Sequence, residues 1–156
     1  MRAVNRERLT PWEPSWHEDQ LSRRGFRARL AAYKKLIDAD SAYPFHIFSA
    51  GDGQFVGACN LMAVQRGVRQ SAHIGYWVGE AYQRRGYARA SVRAAVRFAF
   101  TDLSLHRVEA AVQADNGASI SLLESCGFKS EGLARGYLKI NGRWQDHLVY
   151  ARLSTD

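Results

Sequence analysis

The most restrictive feature of this chain is a double change of hydrophobic period near its middle. Ser71-Ala72-His73-Ile74-Gly75-Tyr76-Trp77-Val78 is dense in β-formers and about one buried strand long. Beyond it, Ala88, Val92, Ala95, Val96 and Ala99 fall on one face of a helix that the spacing predicts over residues 85–101. Over residues 106–113 the period returns to two, with Val108, Ala110 and Val112 on one side and Arg107, Glu109 and Gln113 on the other. Strand, helix and strand in that order make a βαβ unit, so the rest of the chain must fold around a sheet with a helix on its face.

The flanking segments extend that sheet. Phe26, Leu30, Tyr33 and Ile37 recur at helical spacing among Arg23, Arg24, Arg27, Lys34 and Lys35, which predicts an amphipathic helix over residues 18–39. His46-Ile47-Phe48-Ser49 and the apolar run 54–61 flank the turn signal Gly51-Asp52-Gly53 and read as a hairpin. Asp115 or Asn116 can cap a short helix running to Ser125, with Gly127 available for the left-handed residue just past its end. Phe128 restarts extended chain, and Asn141-Gly142 between residues 137–140 and 144–153 is the strongest hairpin signal of all. The class is α+β, one mixed sheet with helices on its faces.

Composition limits the function. At 156 residues, 46% hydrophobic and 24% charged, a single domain spanning residues 1–156 is expected, with a core that needs no staples. No apolar run approaches the roughly 20 residues of a membrane-spanning helix. No apolar stretch follows the charged start to make a secretory signal, so a cytoplasmic location without membrane contact is expected. Cys59 and Cys126 fit neither a disulfide framework nor a zinc ligand set, and no metal is expected. The balance of 22 Lys and Arg against 15 Asp and Glu gives a net charge of +7. That favours anionic company such as nucleic acid, a ribosome-like surface or a phosphorylated cofactor; a basic surface with no specific partner is the plainer alternative.

The chemistry concentrates at residues 78–88, where the buried strand leads into the helix. Unpaired N–H groups and the helix dipole gather positive potential at such a junction, and Gly86 lets a ligand approach the main chain, so an anion is the natural guest. The spacing lacks the extra glycines of a dinucleotide-binding turn and the lysine of a mononucleotide P-loop.

Gln83-Arg84-Arg85-Gly86-Tyr87-Ala88 resembles the Gln/Arg-x-x-Gly-x-Gly/Ala motif of the GNAT superfamily of acetyl-CoA-dependent N-acetyltransferases. The likeness continues in Asn116-Gly117-Ala118-Ser119 and in the run from Leu122 to Gly127-Phe128. Leu9-Thr10-Pro11-Trp12-Glu13-Pro14, Glu131-Gly132 and Gly136 to His147 are similar to the Rim-type subgroup, the ribosomal-protein-alanine N-acetyltransferases, so nearly the whole chain is covered. The resemblance implies a GNAT-like, mostly antiparallel twisted sheet flanked by helices, with a splay between its central strands. Because this family carries a further strand upstream of the Leu9 region, it also implies a sheet lacking that first strand, or a true start upstream of Met1, with an edge that another element or a second subunit would cover.

For the site, the resemblance implies acetyl-CoA as cosubstrate and no metal. Its pyrophosphate would lie on the amides of Gln83, Arg84, Arg85, Gly86, Tyr87 and Ala88, with Arg89 toward the adenosine phosphate and the pantetheine beside Tyr76, Trp77 and Val78. Asn116 and Ser119 would approach the thioester, the hydroxyl of Ser119 near the sulfur; their plainer roles are helix cap and first-turn serine. The tyrosine that many relatives place on this helix is Leu123 here. A backbone N–H near the thioester can stabilise the oxyanion, and removing one such donor costs about 2.7–4 kcal/mol of barrier. Glu80, His73 and Asp146 are the base candidates by position, each also readable as structural. Arg85, Arg89, Arg93 and Arg97 lie four apart, a self-repelling row that reads either as a solvated face or as a contact for cofactor and an acidic or RNA-rich partner. The acceptor is a primary amine, most naturally the α-amino group of a ribosomal protein. A small amine is the alternative, a non-catalytic CoA- or RNA-binding module a further one, and the protein is a monomer or homodimer.

Overall fold

The computed structural model describes residues 1–16 and 18–156. Six strands, β1 (Tyr43–Phe48), β2 (Phe55–Gln65), β3 (Ser71–Val78), β4 (Arg107–Val112), β5 (Lys129–Ile140) and β6 (Arg143–Leu153), form one sheet in the order β1-β2-β3-β4-β6-β5. Every neighbouring pair is antiparallel except β3 and β4, which makes the sheet mixed and mostly antiparallel as expected. Four helices accompany it: α1 (Arg6–Leu9), α2 (Arg23–Asp38), α3 (Tyr87–Thr101) and α4 (Gly117–Ser125). Among the described residues no strand precedes β1, and no helix is long and apolar enough to cross a membrane.

The core follows the periodicities. Val92, Ala95, Val96 and Ala99 of α3 are buried in one cluster with Val56, Leu61, Ala72, Ile74, Val108 and Ala110 of the sheet. Each buried Val, Leu or Ile there contributes about 1.5–3 kcal/mol. Leu123 of α4 closes the same cluster, and Phe128 follows it. That helix ends as its glycine predicts. Gly127 has φ +83°, its N–H donates to the Glu124 carbonyl at 3.0 Å, and the Phe128 N–H donates to the Leu123 carbonyl at 3.1 Å. Both cysteines are free and buried in the cluster.

Several boundaries differ from expectation for local reasons. The amphipathic helix begins at Arg23 rather than residue 18, because the Ser22 hydroxyl accepts the Gly25 N–H at 2.9 Å and caps it there. None of its residues is buried, so its apolar stripe of Phe26, Leu30, Tyr33 and Ile37 is not core. α3 starts at Tyr87, not residue 85, because Arg84 and Gly86 take positive φ. β2 runs on to Gln65 past an irregularity at Ala63 (φ +49°), and β5 reaches back to Lys129 through two breaks of register. The Asn141-Gly142 turn has φ +44° and +81°, both left-handed as this hairpin requires.

The pairing of β3 with β4 positions everything that follows. It comprises Ser71 with Arg107, Ala72 with Val108 and His73 with Glu109, and then it stops. β3 continues to Val78 paired only with β2, and β4 continues to Val112 paired only with β6. The two strands therefore part inside the sheet.

Candidate active site

The site has three parts: the start of α3, the gap between β3 and β4, and the sheet face opposite α3. At the first, the chain leaves β3 through Gly79 and a short turn, Glu80–Tyr82. The Glu80 N–H donates to Asn5 Oδ1 at 2.9 Å, and Arg8 reaches both the Glu80 carboxylate at 3.0 Å and Gln83 Oε1 at 2.9 Å, which ties the N-terminal segment to the loop. Arg84 has φ +57° and Gly86 φ +82°, with Arg85 on the ordinary side between them. Alternation of this kind turns successive N–H groups into one concavity. A side-chain-bearing residue at Gly86 would be strained by about 1–2 kcal/mol. The space where its Cβ would lie is open to 4 Å. No side chain caps α3, so its first-turn N–H groups are available to an anion. Gln83, Arg84, Arg85, Gly86 and Arg89 are exposed, and Tyr87 and Ala88 half-buried.

The arginine row beyond is not purely solvated. Arg89 Nε donates to Ser125 Oγ at 3.2 Å and Arg93 to the Ser125 carbonyl at 3.3 Å, so both bind the C-terminal end of α4 where free carbonyls attract cations. Arg85 lies over the Tyr82 ring at 5.9 Å.

In the gap, successive β3 side chains alternate between faces. Tyr76 packs against the core beneath α3 and α4, whereas Trp77 turns to the other face, against Phe55 and with the Arg2 guanidinium 5.3 Å above its ring. Tyr76 Oη lies 2.6 Å from Ser119 Oγ. Burial pushes the Tyr76 phenol up to about 12, so it stays protonated at neutral pH. Ser119 is in turn placed by Asn116, whose Oδ1 accepts the Ser119 N–H at 3.2 Å as the cap of α4. Tyr76, Trp77, Asn116 and Ser119 all line one cavity of about 1460 Å³ that passes from the α4 side to the opposite face; Val78 and residues 83–89 do not line it.

On that opposite face, His73 also lines the cavity, while the other two base candidates stand elsewhere. Glu80 is exposed and paired with Arg8, and Asp146 accepts the Gly136 N–H at 2.7 Å. His73 Nε2 is 3.2 Å from Glu109 Oε2, at the last residue pair before the strands part. Burial alone would raise the Glu109 carboxyl, but the hydrogen bond from Arg107 at 2.8 Å and the charges of His73, Arg107 and Arg69 outweigh it and hold it below its ordinary value. The N-terminal segment covers the groove's rim: Glu13 accepts from Arg2 at 2.5 Å and from the Trp16 indole at 2.8 Å, and Arg2 lies 4.6 Å over Trp16. Trp12, Trp16 and Trp77 line the groove, but Trp144 is exposed and belongs to neither core nor groove. Sequence reasoning named Tyr76 but missed its hydroxyl contact with Ser119, and it missed the buried His147, which lines the cavity with Nδ1 3.0 Å from the Gln145 carbonyl. It also missed the partnership of Glu109 with His73, for which the alternation over residues 106–113 showed only an outward-facing acid.

What separates this architecture from a nucleotide-binding βαβ unit is that the parallel pair opens instead of staying zipped, which is the arrangement of an N-acetyltransferase domain. Residues 2–129 match the family model described as acetyltransferase (GNAT) domain, and the chain belongs to that family. Among curated relatives, it is 37% identical over its whole length to the Bacillus subtilis (strain 168) protein named "Probable N-acetyltransferase YjcK", covering 86% of that protein. Over 99% of the chain and 79% of the relative it is 33% identical to the [Ribosomal protein uS5]-alanine N-acetyltransferase of Escherichia coli (strain K12). Among solved structures, RimJ of Mycobacterium smegmatis in complex with CoA-disulfide superposes with a TM-score of 0.93 at 32% identity, over 99% of this chain and 74% of that one. The spermidine N-acetyltransferase of Vibrio cholerae in complex with CoA and spermine follows at 0.79 and 26%, over 97% and 85%. Enzymes of this family use acetyl-CoA.

Proposed function

We propose that the protein transfers the acetyl group of acetyl-CoA to the α-amino group at the N-terminus of a protein, a ribosomal protein in the first instance. Acetyl-CoA supplies the activated acyl group and a thiolate that can leave. The chain's own residues do the rest. The concavity of residues 83–88 suits a diphosphate, and the terminal nitrogens of Arg89, beyond the Nε bound to Ser125, are available to a further phosphate. The β3 edge from Tyr76 to Val78 carries no ladder toward β4, so its main-chain groups are free to hold an extended amide arm and to face a developing oxyanion. Asn116 fixes the start of α4, and Ser119 presents a hydroxyl to the gap.

The observation that carries the acceptor is the charge of the groove. Among the described lining residues the single carboxylate is Glu13, already shared by Arg2 and Trp16, against Arg2, Arg23, Arg29 and Lys139. A polyamine needs several carboxylates; a polypeptide end needs one neutral amine and room. An α-amino group with pKa about 7.7–8.0 is roughly a tenth neutral at pH 7, so weak assistance suffices; that His73 lines the groove favours it for this role over Glu80 and Asp146. The basic surface also suits association with the ribosome in the cytoplasm. The test is thiol release from acetyl-CoA with Ala- and Ser-starting peptides beside spermidine and other small amines. Turnover of the peptides is expected. Turnover of small amines alone overturns the acceptor, and CoA binding without turnover of any amine makes the protein a binding module.

A further inference from the structure

Beside the gap, a phenol on β3 and a serine hydroxyl on α4, 43 positions apart in sequence, share a hydrogen bond of 2.6 Å. Among the described residues, Ser119 Oγ has no other hydrogen-bond partner, and the Tyr76 phenol has only the Ser119 carbonyl at 3.5 Å. Both residues line the cavity, so if the phenol donates to Ser119 Oγ, the serine proton is free to turn toward it. A hydroxyl rotates to suit whichever acceptor is near, and on a first helical turn a serine commonly turns back to its own backbone. Among the described residues Ser119 Oγ donates to no backbone carbonyl, unlike Ser91 and Ser125, whose hydroxyls bond the carbonyls of Ala88 and Leu122; its oxygen meets the Tyr76 phenol instead.

We propose that Tyr76 is a positioning residue for the leaving group: its phenol donates to Ser119 Oγ and thereby aims the serine's own proton into the gap, as a hydrogen-bond donor to the departing thiolate. The inference rests on the acetyl-CoA reading of the site. In the transfer, the acceptor nitrogen bonds to the carbonyl carbon and the carbon–sulfur bond breaks, its electron pair leaving on sulfur. The acceptor's surplus proton passes to solvent, and Ser119 shares its proton without losing it. Because burial pushes the Tyr76 phenol up to about 12, it keeps its proton over the working range and is able to donate throughout.

The test compares calorimetric affinities for coenzyme A and its desulfo analogue at about pH 9, where much of the thiol is ionised, in the wild type, Tyr76→Phe, Ser119→Ala and the double variant. The preference of the wild type for coenzyme A is expected to fall about tenfold in each single variant, with no further fall in the double, because both remove one hydrogen bond to charge. Ser119→Thr, which keeps the hydroxyl, is expected to retain the preference, and 3-fluorotyrosine in place of Tyr76, a stronger donor of nearly the same shape, to raise it. The last arm also decides the matter if Tyr76→Phe does not fold. An unchanged preference in Tyr76→Phe, a Ser119→Ala variant that keeps the preference, or losses that multiply in the double variant overturns the inference while leaving the enzyme class intact. Failure of the wild type to bind coenzyme A overturns the acetyl-CoA reading and this inference with it.

Discussion

At the scale of single residues, Glu109 is a carboxylate held almost out of water among cationic partners. A carboxylate 7% exposed, it accepts from Arg107 and stands 3.2 and 3.3 Å from His73 and Arg69. Its folded pKa lies below the unfolded value, so its contribution to stability is present above about pH 4.5 and is lost as pH falls through the depressed value. Glu109→Gln is therefore expected to lower unfolding free energy by about 1–3 kcal/mol at neutral pH, less after screening of exposed Arg69, with the difference shrinking below about pH 4. Urea titrations of both proteins at several pH values measure it; a difference that grows toward acid would contradict the pairing. The pair itself was not legible in the sequence. His73 and Glu109 belong to different strands, and only the parallel register makes them neighbours.

At the scale of elements, the two helix starts at the site divide their labour. α4 has a side-chain cap and α3 has none, which leaves the N–H groups of α3 for a ligand while α4 is closed by its own asparagine. Asn116→Ala is expected to cost about 1 kcal/mol of stability, and Asn116→Asp to keep most of it, as thermal unfolding would show. Reversing charge at the start of α3, by Arg84→Glu or Arg85→Glu, is expected to weaken coenzyme A binding by about tenfold at low salt, the effect fading as ionic strength rises. Neither substitution touches the core, so calorimetric affinity should change while the melting temperature stays nearly constant. These elements were legible because caps, left-handed glycines and a helical stripe are local signals. The segment from Lys129 to Arg135 was legible only as extended chain after Phe128, since it is almost wholly exposed and its place in the sheet depends on β6 as partner.

At the scale of the whole molecule, the sheet is open at its middle and the cavity passes through it, so in the proposed transfer donor and acceptor would approach from opposite faces. The acceptor face carries more cationic than anionic lining, which should select among protein ends. Ala-starting peptides with acidic residues after the first two positions are expected to show kcat/KM about tenfold above lysine-bearing counterparts at low salt, the ratio approaching one as salt screens it. Steady-state kinetics on the paired peptides at two ionic strengths decides this. The exposed stripe of α2 belongs to the same scale: its Phe26 and Tyr33, with the neighbouring Arg29, line the groove, so part of an amphipathic period that normally signals burial walls the cavity instead.

From its own order of residues the chain determined the kinds and succession of its core elements, the turn at Asn141-Gly142, the anion-ready start of α3 and the family motif, because each depends on torsions and periodicities within one stretch. Only the tertiary structure decided where β3 and β4 part, that Tyr76 meets Ser119, that His73 meets Glu109, and which face of α2 looks into the groove. Those facts are contacts between segments tens of residues apart, and they are set by register and packing, to which no single stretch of sequence has access.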